Sequence, residues 1–164
     1  MLGIAIPMPG MIIRFSSYFF SSALRKRYTP KKLAQMVEIR LDHEPSAITI
    51  NCSELPDIEV RLSFKNTSPF HVTVHEFEVE LYLQNRVASL LKISNRDIAP
   101  SAEEQFFVQT DLTEKQLDYI NKHTDTPDPV LKVNAMLACR LSSFEISQRE
   151  IPAQHIHFID CNKS

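Results

Sequence analysis

Apolar and polar residues alternate along most of this chain. From Val37 onward the period is 2, as expected of strands that bury one face. "VEIRL" sets Val37, Ile39 and Leu41 against Glu38 and Arg40, and "AITINC" places Ile48 and Ile50 on one side. Ile58, Val60, Leu62 and Phe64 then alternate with Glu59, Arg61, Ser63 and Lys65. The pattern breaks at Asn66-Thr67-Ser68-Pro69 and resumes with Phe70, Val72 and Val74. At His75-Glu76 the phase slips by one, and Phe77, Val79, Leu81 and Leu83 form the next apolar set. A one-residue slip inside a strand predicts a β-bulge.

Gln84-Asn85-Arg86 is expected to be a hairpin turn with Asn85 in the left-handed conformation. "VASLLKI" returns as a strand, Ile98-Ala99-Pro100-Ser101 makes a second corner, and "EEQFFVQTDL" follows. There Phe106 belongs in the core, and Phe107 on the opposite face would make a contact surface if exposed. Residues 130–141, residues 144–151 and a short "HIHFID" complete the strands. One helix interrupts them. Thr113 is a good N-cap, Gln116 completes a capping box, and Leu117 and Ile120 share a face. About seven to eight strands with Pro and Asn corners predict an antiparallel, immunoglobulin-like β-sandwich, with one short helix inserted between strands.

The first 36 residues read differently. "MLGIAIPMPGMIIRFSSYFFSSALRKRYTPKK" is apolar and then basic. A membrane-spanning helix needs about 20 mostly apolar residues. Leu2 to Leu24 has that length, but Pro7, Pro9 and Gly10 interrupt it and Arg14 sits inside it. A secretory signal would place its bases before the apolar run, not after it. Three readings follow: a membrane anchor with the bases against anionic headgroups, an apolar arm docked on a partner subunit, or a helix packed on its own domain. The contact residues on the first two readings are Arg14, Phe19, Phe20, Arg25, Lys26, Arg27, Lys31 and Lys32. Thr29-Pro30 is expected to cap a short helix running to about Met36. The division is therefore an arm over 1–36 and a sandwich over 37–164.

Composition narrows the function. The chain has two glycines among 164 residues, Gly3 and Gly10, and none from Met11 onward. Phosphate-cradling loops, dinucleotide fingerprints and nucleophile elbows all need glycine, so the body contains none of them. No small-molecule cofactor is expected. Charge is segregated as well. Residues 1–32 carry six bases and no acid, while the rest holds 12 bases and 20 acids, a net −8. An acidic body is a poor partner for nucleic acid, which is not expected as a ligand. The three cysteines, Cys52, Cys139 and Cys161, contain no CxxC and argue against structural zinc. They are free or buried thiols, or Cys139 and Cys161 form a disulfide in an oxidising compartment.

The order of the features resembles the late-embryogenesis-abundant type 2 family, also called the water-stress and hypersensitive-response domain. The residues that carry the likeness are "FKNTSP", "FHVTVHEFEVELYL", the Ile98-x-Pro100-Ser101 step, the capped helix and "VLKVNAMLAC". Here the corner proline falls two residues later than in the common Asn-Pro form. The resemblance spans roughly residues 37–151. It implies a seven- or eight-stranded sandwich with a helix near one end, no catalytic centre, and tethering by an N-terminal segment.

Candidate chemistry elsewhere is thin. His155 and His157 share a strand face with Cys161 four residues on, and His71 and His75 could approach them, but no third ligand is defined by spacing. Glu76, Glu78 and Glu80 line one strand face, expected to be solvated, or else a strip for a cation or a partner. Ser142-Ser143 and the carboxylates give no nucleophile-base set. No catalytic, cofactor or metal residue is therefore assigned. The expected function is a non-enzymatic module, membrane-associated through its N-terminal segment, that binds a lipid, an apolar ligand or a protein. The alternative is an accessory subunit of a larger membrane complex, docked through the same arm.

Overall fold

The strand with the strictest alternation becomes the centre of the first sheet. β3 (Asp57–Asn66) buries Ile58, Val60, Leu62 and Phe64 completely. Each such side chain is worth roughly 1.5–3 kcal/mol of burial. β6 (Glu103–Asp111) runs antiparallel along one side of β3, with Phe106 opposite Leu62 and Val108 opposite Val60. The other side carries two short strands in succession. β1 (Val37–Leu41) pairs with Leu62 to Asn66, and β2 (Ile48–Asn51) continues along Asp57 to Val60. They act as two halves of one strand beside β3. β9 (Ile156–Ile159) adds to β2 in parallel, with Ile50 opposite Phe158. The computed structural model describes residues 22–42, 47–153 and 155–161.

The second sheet has the order β5-β4-β7-β8, all antiparallel: β5 (Asn85–Ile98), β4 (Val72–Leu83), β7 (Val130–Cys139) and β8 (Ser143–Pro152). The two sheets stack as a β-sandwich, with nine strand segments among the described residues. The phase slip in β4 is a bulge. Its pairing with both neighbours shifts between Val74 and Glu76, so Val72 and Val74 before it and Phe77, Val79, Leu81 and Leu83 after it all face the core. Phe64, Phe77 and Phe106 join the sheets, their ring centroids 4.8–5.5 Å apart.

Three helical segments lie among the described residues. Residues 22–27 are helical, and α1 (Pro30–Gln35) follows with Thr29 as its N-cap. Leu33, on the segment expected to be an arm, lies fully buried in the core, and α1 packs on β8. α2 (Glu114–Lys122) connects β6 to β7 and has the expected capping box, Thr113 and Gln116 each bonding the other's backbone N–H. Thr113→Ala is expected to lower stability by about 1 kcal/mol, the usual worth of an N-cap hydroxyl. An unchanged thermal midpoint would show that the cap is not limiting.

Three expectations are corrected. The left-handed residue of the β4–β5 turn is Gln84, at φ 65°, not Asn85. Asn85 already pairs with Leu83 in the ladder, and its backbone and side-chain N–H groups donate to the Tyr119 hydroxyl, so the turn is carried by the single residue between. Glu80 is buried rather than solvated. Its carboxylate accepts from Arg86 at 2.8 Å and from the Tyr82 hydroxyl at 3.2 Å, and the same contact holds the Arg86 guanidinium above its ordinary pKa. The disulfide joins Cys161 to Cys52, not to Cys139, which is a free thiol. The parallel β2–β9 pairing decides this, because Cys52 and Cys161 follow the paired residues Asn51 and Ile159 and their Cα atoms lie 5.0 Å apart. Cys139 ends β7 in the opposite sheet.

Candidate functional site

The corner Asn66–Pro69 builds one end of the sandwich. Asn66 is fully buried; its side-chain amide donates to the carbonyls of Phe70, Ile98 and Ala99 at 2.7, 3.1 and 3.2 Å. Its carbonyl oxygen accepts from the Ser68 N–H at 2.9 Å. Both the backbone N–H and the hydroxyl of Thr67 donate to Met36 O at 2.8 Å, which fastens the C-terminal end of α1 to the corner. Proline ends the ladder pairing, and Phe70 turns back onto Tyr28 with the rings edge to face at 5.0 Å.

Basic side chains collect on this aromatic pair. The Arg27 guanidinium and the Lys32 ammonium lie 5.7 and 5.6 Å from the Tyr28 ring centroid, and the Arg140 guanidinium lies 5.1 Å from that of Phe70. These distances are within cation–π range. Arg25, Lys26 and Lys31 are exposed on the same helical segments. None of these six bases forms an ion pair among the described residues. Elsewhere acids do hold bases, as where Arg40 donates to Glu38 and draws its carboxyl below the usual range. An unopposed basic cluster keeps its full attraction for an external anion.

Beside the cluster lies an open hollow of about 560 Å³ on the outer side of the second sheet. Pro69, Phe70, Ala138 and Cys139 line part of it, with Arg140 and His71 at one side and Thr73, His75 and Asp97 at the other. Thr73 donates to Asp97 at 2.5 Å, and His75 Nδ1 lies 2.8 Å from Asn95 Oδ1.

Of the residues expected to make contact, Arg27 and Lys32 are placed on the Tyr28 ring and Arg25, Lys26 and Lys31 are exposed on the same helical segments, while Arg14, Phe19 and Phe20 lie outside the described residues. The spanning reading of Leu2 to Leu24 falls largely there too. No described helix is long and apolar enough to cross a membrane. Arg140, Tyr28 and Phe70 are new to the site. Tyr28 had a local signal, an aromatic inside "RKRYTPKK". Arg140 had none, since only the β7–β8 turn carries it there. Cys161 is bonded to Cys52, so it cannot serve His155 and His157 as a thiolate, and no described group of three His, Cys, Asp or Glu converges on a metal-binding point. Phe107 is exposed, as its phase required.

No protein-family model matches the chain, and no curated protein matches it. Solved structures are similar at low identity. A structural-genomics target solved by X-ray crystallography is 10% identical, with a TM-score of 0.46 over 72% of this chain and 86% of its own. A chain described as the ApaA protein of Bordetella pertussis is 14% identical, with a TM-score of 0.40 over 70% and 85%. A chain described as a late-embryogenesis-abundant protein, solved in solution, is 14% identical, with a TM-score of 0.41 over 92% and 94%.

Proposed function

We propose that this protein is a non-enzymatic β-sandwich module that docks on an anionic membrane surface through the basic end described above. The observation that carries the reading is the set of exposed bases Arg27, Lys32 and Arg140 around the Tyr28–Phe70 pair, with Arg25, Lys26 and Lys31 exposed on the same helical segments and none of the six in an ion pair among the described residues. The apolar residues that precede it in sequence suit the same surface. Each base near an anionic leaflet contributes about 1 kcal/mol, and the attraction is screened by salt. The full-length chain is therefore expected to sediment with phosphatidylserine vesicles at low salt, weakly at high salt, and not with phosphatidylcholine alone. Neutralising Arg27 and Lys32 together should weaken binding by about tenfold or more. Equal binding to neutral and anionic vesicles would defeat the reading.

A second reading, an accessory subunit of a membrane complex, draws on a different surface. On the outer face of the second sheet Leu91, Ile93 and Met136 are exposed, next to Glu76, Glu78 and Glu145. Failure of the full chain to bind vesicles at either salt concentration would favour it.

A further inference from the structure

We propose that the hollow beside Phe70 is a binding site for a phosphorylated polyol, presented as a lipid headgroup or free in solution; only the lipid source rests on the membrane-docking reading. The argument starts with Arg140. Its guanidinium lines the hollow and lies 5.1 Å from the Phe70 centroid, yet makes no hydrogen bond or ion pair among the described residues. A planar fork of N–H donors left free beside an aromatic ring suits a phosphate, which can accept two of them at once. Arg27 and Lys32, on the other member of the Tyr28–Phe70 pair, add positive potential from the same end. His71 is exposed at the rim and supplies a further polar group.

The far side of the hollow has the opposite preference. Asp97 faces it and repels a phosphate, so the anion is confined to the Arg140 side. The carboxylate uses one oxygen to accept from Thr73, and its remaining lone pairs suit the hydroxyl donors of a polyol. The His75–Asn95 pair borders the same side, held at 2.8 Å. Pro69 is exposed and offers an apolar face for the C–H face of a ring, while Phe70 is buried with the Arg140 guanidinium against its ring. About 560 Å³ is ample room for a six-membered ring with one phosphate. A bare phosphate would use only the arginine side, and a fatty carboxylate would bring Asp97 no hydroxyl donor for its remaining lone pairs. Spatially separate phosphate and hydroxyl preferences within one hollow are what point to a phosphorylated polyol.

The test uses the full chain and soluble inositol monophosphate, read by amide chemical shifts. Shifts should concentrate at His71, Thr73, Asp97 and Arg140. Inorganic phosphate and unphosphorylated inositol should each bind about tenfold more weakly. Arg140→Ala should weaken inositol monophosphate about tenfold, and Asp97→Asn should weaken it while tightening inorganic phosphate, which no longer meets a repelling charge. Arg140 and Asp97 are both exposed, so neither change should disturb the fold. Shifts scattered over the lysines, or affinities equal for phosphate and its ester, would overturn the site. Vesicles then separate the sources. At matched surface charge, a preference for phosphatidylinositol phosphate over phosphatidylserine that Arg140→Ala abolishes assigns a lipid headgroup. Soluble binding without that preference assigns the free ester. Vesicle binding by charge alone, with no soluble binding, would sink the site and leave the docking reading standing.

Discussion

Asn66→Asp is expected to unfold the sandwich or leave it barely folded at neutral pH. The substitution is nearly isosteric, so only hydrogen bonding changes. The native amide donates to three carbonyls, of Phe70, Ile98 and Ala99, within 2.7–3.2 Å, at a site with no solvent exposure. A carboxylate would set a negative oxygen against those carbonyls with no proton to share. An unsatisfied buried polar group costs about 1–3 kcal/mol, and a buried unpaired charge costs more. Asn66→Ala should therefore lose about 3 kcal/mol, and the aspartate variant more than that, against a typical total of about 5–15 kcal/mol. The pH dependence has a definite sign. The folded variant retains the introduced carboxyl only as the neutral acid, which raises its pKa above the unfolded value, while the unfolded chain ionises it freely. Rising pH thus favours the unfolded form, and the gap from wild type should narrow as pH falls. Denaturant midpoints across pH measure this; a wild-type-like midpoint at neutral pH would reject the assigned role of Asn66.

Opening the Cys52–Cys161 disulfide should have the second largest effect. The bond closes a sequence separation of 109 residues. Chain-entropy arguments assign roughly 5 kcal/mol to a loop of that size, and measured losses run at about 2–5 kcal/mol. The local effect should be larger than the global one, because β9 is held by one parallel pairing of four residues with β2 and by this bond just beyond it. Cys52→Ser with Cys161→Ser is expected to lower the denaturant midpoint and to abolish hydrogen-exchange protection over Ile156–Ile159. Wild type in reductant should fall to the same midpoint, the double variant should ignore reductant, and Cys139→Ser should change neither. Retained protection of β9 in the double variant would show that the strand holds without its staple.

Much of the local structure was legible because the determining interactions are local. The bulge showed as a phase slip between Val74 and Phe77, since a strand with one buried face cannot change phase without an extra residue. The Thr29 and Thr113 caps were legible because a hydroxyl reaches an N–H only two or three residues away. The corner after β3 showed in Asn66–Pro69, and its structural reading holds, but the burial of Asn66 and its bonds to Ile98 and Ala99 depend on residues more than 30 positions away. Gln84 misled because propensity favours asparagine at a left-handed position, whereas the ladder decided which residue sat there. Glu80 misled because period 2 reports which face a residue is on, not whether Arg86 and Tyr82 cover it.

The sequence by itself therefore determined the class of fold, the strand faces, the bulge, the caps and the separation of a basic head from an acidic body. All of these follow from chain periodicity, reach over a few bonds, or simple addition of charge. Only the tertiary structure decided that β1 and β2 share one edge of β3, that β9 returns in parallel to bring Cys161 to Cys52, and that Leu33 ties the basic segment into the core. It also placed Arg140 beside that segment, more than 100 residues away in sequence, through the contact of Tyr28 with Phe70. Such meetings depend on how two sheets share one core. That sharing minimises exposed apolar area over the whole chain at once, and no short stretch of sequence records its outcome.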